Sequence, residues 1–238
     1  KIVENKLRDF IFFDKKKINF INKGGYYNST YRKLQKTLKN FSKQDIAAGI
    51  QSISEKLMVE YINCLVDKFF KNKKTNIFLA GGIFANIKIN QKISDLPNVK
   101  HCYVFPNMGD GGLGAGCALD TNFRHNKFSL KNRQSMSLGS NYTSFNKDLI
   151  SNSKYEILNC INLYKFIALK LKEKKIIGLF QGKMEYGPRA LGNRSIICSA
   201  EDVDINNILN RKLKRSEFMP FAPCVLNEDF IKFFESNM

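Results

Sequence analysis

Two short apolar runs, residues 77–80 and 101–105, each end in a glycine-bearing turn and lead into a helical pattern. The first run meets Gly81-Gly82. The second meets Pro106 and then Asn107-Met108-Gly109-Asp110-Gly111-Gly112. Apolar runs of this length between turn signals read as buried strands. Strand, glycine turn and helix, repeated twice, form an α/β pattern. Upstream, Ser42 followed three residues later by Asp45 resembles a capping box. Ile46, Ile50, Ile53, Leu57, Tyr61, Leu65 and Phe69 then recur every three or four residues. This predicts a long helix to about Lys71 with one buried face. A second helix is expected from Ile83 to about Ile93. Residues 1–41 are mixed, with a turn signal at Gly24-Gly25, and no chemistry is read there.

Periodicity is lost over residues 121–154, where Asn, Ser and Lys accumulate. A boundary is placed in that window, giving domains 1–125 and 126–238. Beyond it the spacing predicts a helix over 159–172, strands at 176–180 and 196–198, and a helix over 203–211. A turn through Pro220 and Pro223 follows.

The 238 residues suit one large domain or two small ones. With 43% hydrophobic and 25% charged residues, a disordered tail or a fibre is excluded. No uncharged apolar run approaches the roughly 18 residues of a membrane span. Asp9, Asp14 and several lysines interrupt any signal-peptide pattern. The first residue is Lys, so the chain reads as a piece of a longer protein. The net charge of +18, from 39 basic and 21 acidic residues, is one mark of a nucleic-acid binder. Here Lys predominates over Arg, travels with Asn and Ile as AT-rich codon usage produces, and lies in separate clusters near 15–17, 71–74 and 172–175. These read as solvated surface, with anionic partners such as polyphosphate substrates as the alternative. Six cysteines without a CxxC pair predict reduced thiols in a cytoplasmic protein. Two histidines cannot alone build a His-rich metal site.

Three places can carry chemistry. Gly81-Gly82 lets a backbone approach a ligand closely, and the helix that follows offers N–H groups to a phosphate. Asn86 lies near that turn. The alternative is tight strand-to-helix packing. Asp110, between glycines, can reach a cation or nucleotide-bound Mg²⁺, or it can cap the next helix. The glycines match neither the dinucleotide nor the P-loop template. Residues 182–195 (Gly-Lys-Met-Glu-Tyr-Gly-Pro-Arg-Ala-Leu-Gly-Asn-Arg-Ser) hold two arginines five apart among three glycines. Guanidinium groups bind phosphate or carboxylate bidentately. Alternatively, Glu185 pairs with one arginine and the loop holds its own shape.

Taken together, these segments resemble the O-carbamoyltransferase family, whose members include nodulation-factor and antibiotic carbamoyltransferases. Residues 79–86 are similar to the family's Leu-Ala-Gly-Gly-Val-Ala-Leu-Asn, and residues 106–116 to its Pro-x-x-x-Asp-x-Gly-x-x-x-Gly. Residues 182–195 are nearly identical to its Gly-Arg-Met-Glu-Phe-Gly-Pro-Arg-Ala-Leu-Gly-Asn-Arg-Ser. Residues 220–223 (Pro-Phe-Ala-Pro) add a fourth match, and all four stand in family order.

The resemblance implies the second half of an actin-like ATPase-type domain followed by a YrdC-like α/β domain. It implies that carbamoyl phosphate and ATP give a carbamoyl-adenylate, and that the carbamoyl group then passes to a hydroxyl of a sugar-like or natural-product acceptor. It places Gly81, Gly82 and Asn86 on the nucleotide, and makes Asp110 a ligand of a divalent metal, iron or magnesium. Arg189, Arg194 and Ser195 become catalytic, with Gly182, Asn193 and Arg215 helping to hold phosphate. Neither nucleic acid nor membrane is expected as a partner. The rival readings are a tRNA threonylcarbamoyl-transfer-type protein and a non-catalytic nucleotide- or nucleic-acid-binding module. The chain departs from the family at Met219, where Arg is usual, and at Leu213, where Lys is usual. It also lacks the family's N-terminal metal-binding histidines.

Overall fold

The computed structural model describes residues 1–71, 73–125, 136–142, 144, 156–215 and 221–234. Most of the window expected to hold the boundary, together with Pro220 and Met219, lies outside the described residues. Internal contacts divide the chain into two units, Lys1–Asp120 and Thr121–Ser236.

The first unit opens with helix α1 (Ile2–Arg8) and an antiparallel hairpin, β1 (Ile11–Asp14) with β2 (Asn19–Asn22). Then come α2 (Asn28–Leu38), the 28-residue α3 (Lys43–Phe70) and β3 (Thr75–Leu79). A 3₁₀ turn (Gly82–Ala85) leads to α4 (Ile87–Ser94) and β4 (Val99–Val104). A second 3₁₀ turn (Asp110–Gly112) leads into α5 (Leu113–His125). β3 and β4 pair in parallel, with Ile77 opposite Cys102 and Leu79 opposite Val104. The α/β reading holds, and the glycine turns stand at the ends of the parallel strands.

Helix α3 starts where the capping residues predict. Ser42 Oγ accepts from the Asp45 N–H at 3.0 Å and donates to Asp45 Oδ2 at 2.7 Å. Its burial departs from the expected single face. Ile53 and Leu57 are buried as anticipated, but the stripe continues through Met58, Ile62 and Val66. Ile50 and Phe69 are exposed. The cause is that α3 is packed from two sides. Val3, Leu7, Phe13 and Leu38 join Ile53 and Leu57 in one cluster. Leu79, Phe84, Ile89 and Ile93 join Met58, Ile62 and Val66 in the other. A helix used on two sides needs a wider apolar stripe than one three- or four-residue series provides.

Residues 1–41 are therefore more ordered than their mixed composition predicts. Gly49 explains part of this. A Cβ there would lie 2.5 Å from Val3 Cγ1, so a glycine in mid-helix lets α1 settle on α3. An interior glycine costs a helix roughly 1 kcal/mol relative to alanine, and this close packing offsets it.

The second unit holds α6 (Leu163–Lys172), β5 (Ile177–Phe180), β6 (Arg194–Ile197), α7 (Ile205–Lys212), a 3₁₀ turn (Asn227–Asp229) and the short α8 (Phe230–Phe233). β5 and β6 pair antiparallel, with Phe180 opposite Arg194. Residues 181–193 are thus the connection of a hairpin. No helix among the described residues is long and apolar enough to cross a membrane. The six cysteines are free thiols, and burial pushes those of Cys102 and Cys198 up.

An ion pair joins α1 to α3. Buried Glu4 accepts from Lys56 Nζ on both carboxylate oxygens at 2.7 Å and from Ser52 Oγ at 2.9 Å. The Lys56 and Ser52 bonds outweigh burial and, with the charges of Lys56 and Arg8, hold the Glu4 carboxyl at about 2. A carboxyl depressed on folding contributes stability in full above its unfolded value near 4.5, and loses it as pH falls toward the folded value. Glu4→Gln should therefore destabilise at pH 7, and the gap from wild type should close as pH drops from 4.5 toward 2. Urea unfolding of both proteins across that range checks this.

Candidate functional site

The first candidate site is a cleft of about 620 Å³ at the carboxyl ends of β3 and β4. In open α/β sheets, ligands bind outside the carboxyl ends of the strands. The two turns that form the cleft are tied together. Gly81, at φ +122°, donates its N–H to Met108 O at 2.6 Å, and Phe105 N–H donates to Leu79 O at 3.0 Å. Gly81 and Asp110 both line the cleft, with Phe78, Tyr103 and Leu113 supplying much of its apolar wall. Gly82 and Asn86 are not among its lining residues.

Asn86 is instead the N-cap of α4. Its Oδ1 accepts from the Lys88 and Ile89 N–H groups at 3.1 and 3.3 Å, and its Nδ2 donates to Gln51 Oε1 at 2.7 Å. Asp110 opens the second 3₁₀ turn and is exposed. Gly109 is the N-cap of that turn. Among the described residues no three His, Cys, Asp or Glu side chains are grouped to hold a metal ion. Asp110 and Asp120 are the two carboxylates lining the cleft, and no third such ligand is grouped with them among the described residues.

The glycines of the second turn differ in what they permit. A Cβ on Gly112 would overlap the carbonyl oxygen of Asn107. Gly109, Gly114 and Gly116 have no neighbour within 4 Å of such an atom. Gly112 thus closes the turn, and the others leave backbone open.

The second candidate site is the hairpin connection 181–193. Three of its residues are in the left-handed region that favours glycine: Gly182, Gly187 and Gly192, at φ +53°, +125° and +108°. Buried Glu185 is the centre of the loop. Its Oε1 accepts from the backbone N–H groups of Leu191 at 2.8 Å, Asn193 at 2.6 Å and Arg194 at 3.2 Å. Burial alone would raise this carboxyl, but these N–H bonds outweigh it and hold it at about 2. The alternative to anion binding by this loop paired Glu185 with an arginine; the hydrogen bonds Glu185 makes here are to backbone donors.

Arg194 sits at the neck of the loop. Its Nη1 donates to Gln181 O at 2.7 Å and Asn193 O at 3.0 Å, and its Nη2 to Gly182 O at 3.3 Å. The guanidinium lies 3.6 Å from the Phe180 ring centroid. Ser195 Oγ accepts from the Gly192 N–H at 2.9 Å. Asn193 Nδ2 donates to Lys183 O at 2.6 Å and Ser137 Oγ at 2.9 Å. Arg189 is exposed on the same loop, and Arg215 lies over Phe221 at 5.1 Å.

A support for this loop lies in the stretch that sequence reasoning took for a boundary. Gly139 N–H donates to Met184 O at 2.9 Å, Tyr186 N–H donates to Met136 O at 2.8 Å, and Asn141 bridges Lys183. A Cβ on Gly139 would lie 2.8 Å from Met184 Cβ, so glycine permits this approach. Met-Ser-Leu-Gly-Ser at 136–140 has one glycine and no strand-like alternation, so only that glycine signalled it.

The cleft yields a paired prediction. Gly112→Ala should destabilise by about 1–3 kcal/mol, because backbone must move to admit the methyl group. Gly114→Ala, in the open first turn of α5, should be neutral or stabilising by up to about 1 kcal/mol. Denaturant titration of the two variants measures both.

Comparison with known proteins places these segments in context. The Carbamoyltransferase N-terminus family model matches residues 7–119, and the Carbamoyltransferase C-terminus model matches residues 168–238. An uncharacterized protein of Methanocaldococcus jannaschii is 34% identical over 231 residues, 92% of this chain and 36% of the relative. Nodulation protein NolNO of Sinorhizobium fredii is 28% identical over 201 residues, 81% of this chain and 29% of the relative. Nodulation protein NolO of Bradyrhizobium diazoefficiens is 27% identical over 198 residues, again 81% of this chain and 36% of the relative. The chain spans about a third of the length of the curated relatives it matches. With both family models matched in order along it, the chain belongs to the carbamoyltransferase family.

Proposed function

We propose that this chain is part of an O-carbamoyltransferase. In this reading carbamoyl phosphate, ATP and water give a carbamoyl-adenylate, inorganic phosphate and pyrophosphate; a hydroxyl of a sugar-like or natural-product acceptor then takes the carbamoyl group, losing its proton and releasing AMP. The domains are read as part of an actin-like ATPase-type domain and a YrdC-like domain. The observation that carries the reading is the 181–193 loop. It is a hairpin connection braced by Glu185, Asn193 and Arg194, and it bears Arg189, an exposed residue. A planar, permanently charged fork suits the charge spread over phosphate and carbamoyl oxygens.

The two sites divide the work by their chemistry. No Lys or Arg is among the residues lining the β3–β4 cleft. Its aromatic and glycine surfaces fit the adenosine face of a nucleotide or the ring of an acceptor, and Asp110 can accept a hydrogen bond from a hydroxyl. Among the described residues a triphosphate meets no side-chain cation lining that cleft. Phosphate recognition is therefore assigned to the second unit, with Arg189 gripping the anion. Arg194, Asn193 and Ser195 keep the loop in shape.

The test uses the full-length protein with ATP and carbamoyl phosphate and no acceptor. Pyrophosphate release that requires both compounds supports adenylate formation; ATP left intact in the presence of carbamoyl phosphate overturns it. Arg189→Lys keeps the charge but loses the fork, and should lower this rate by roughly ten- to a hundredfold with the melting temperature little changed. A lowered melting temperature with an unchanged rate would make Arg189 a structural residue.

A further inference from the structure

The backbone donors on the limb of the 181–193 loop that runs into β6 have named acceptors. Leu191, Asn193 and Arg194 give their N–H groups to Glu185 Oε1, and Gly192 gives its own to Ser195 Oγ. Three of four consecutive N–H groups thus converge on Glu185, and the fourth is held by Ser195. At the other limb, Gln181 N–H donates to Asn193 O at 3.0 Å, and Tyr186 N–H is held by Met136 O. A loop that cradled phosphate with its backbone would turn such groups outward. Here a protein carboxylate takes three of these donors, so on this limb recognition falls to side chains.

Glu185 is suited to this in a way its isostere is not. A carboxylate only accepts, and one of its oxygens can face three donors at once. A glutamine amide of the same shape brings two N–H donors of its own, so one of its rotamers sets donor against donor. The three N–H groups bound by Glu185 come from the residues immediately after Arg189 and Ala190. Gly187 and Gly192, both at positive φ, bracket the turn that bears Arg189. With the limb 191–194 anchored inward and Arg194 bonded across the neck to Gln181 and Gly182, the path of the chain through residue 189 is set.

We propose that Glu185 is the positioning residue of the anion-binding loop, holding the backbone of residues 191–194 so that Arg189 is presented at a fixed place. This rests on the reading of the loop as a carbamoyl phosphate site. Glu185 does not touch the ligand; it acts through Arg189. A misplacement of about 1 Å in such a group can cost on the order of a hundredfold.

A double-mutant cycle in the full-length protein tests this. Carbamoyl phosphate is titrated calorimetrically into wild type, Glu185→Gln, Arg189→Lys and the double variant, with thermal melts of each. Each single variant is expected to weaken binding by roughly ten- to a hundredfold, and the double variant to bind no more weakly than the weaker single. Fold-losses that multiply across the pair would mean Glu185 acts independently of Arg189, and the proposal fails. It also fails if Glu185→Gln lowers the melting temperature while affinity in the folded fraction stays at the wild-type value. If Glu185→Gln does not fold, Glu185→Asp, which keeps the charge and shortens the reach by one methylene, is read by the same criteria. Wild type that does not bind carbamoyl phosphate, or Arg189→Lys that binds it as wild type does, would overturn the site itself and this role with it. Weakened binding at Arg189 with normal binding in the Glu185 variants would overturn the positioning role alone.

Discussion

Helix α3 buries two faces at once, and the first unit is organised around that demand. Its N-terminal half packs Ile53 and Leu57 against α1, β1 and α2; its C-terminal half packs Met58, Ile62 and Val66 against β3 and α4. Val66, Ile89 and Ile93 are the largest fully buried side chains, so the α3–α4 contact is the tightest part of this core. A polar rail fixes the setting of α4 on α3. Lys92 meets Glu55 at 2.6 Å, Gln51 Nε2 meets Glu55 Oε1 at 2.7 Å, and Gln51 exchanges two hydrogen bonds with Asn86. The Lys92 bond, then that of Gln51, holds the Glu55 carboxyl below its usual range. Asn86 thereby links the start of α4 to α3, and the Gly81 turn next to it inherits a fixed origin.

The elements with a long period were legible. Seven apolar positions at helical spacing and the Ser42–Asp45 pair located α3 to within a residue or two, and the strands around 77–80 and 101–105 were found because glycine turns bounded them. What failed to show was short. Strands β1 and β2 are four residues each and α1 is seven, too few for any period to emerge from the surrounding lysines. The rotated stripe on α3 was hidden because Tyr61 and Ile62, or Leu65 and Val66, are equally apolar neighbours. Only the second packing partner decides between them.

In the 181–193 loop, the sequence marks the segment as unusual but not the hydrogen bonds within it. Glu185 meets its donors six to nine positions along the chain, a separation without periodic signature. One route to it existed. Residues 176–180 and 196–198 both read as strands, and an antiparallel pairing makes everything between them a loop whose N–H groups need acceptors. In a connection with a single carboxylate, Glu185 is the strongest acceptor the sequence provides.

Charge separates the two sites more sharply than shape does. The chain carries +18, yet among the described residues no basic one lines the cleft at the ends of β3 and β4, where Asp110 and Asp120 are the charged groups. The excess lysine is not concentrated at this site; its contribution to a ligand is a diffuse potential that salt screens over about 10 Å. Selective recognition of an anion instead requires a cation held in one geometry, and holding it means satisfying the backbone around it. Around residues 191–194 the donors are satisfied by one buried carboxylate and one serine hydroxyl. In the proposed reading the acid in the loop and the arginine beside it are parts of one device: the carboxylate takes up backbone donors of residues 191–194, and the guanidinium of Arg189 supplies the contact to the anion.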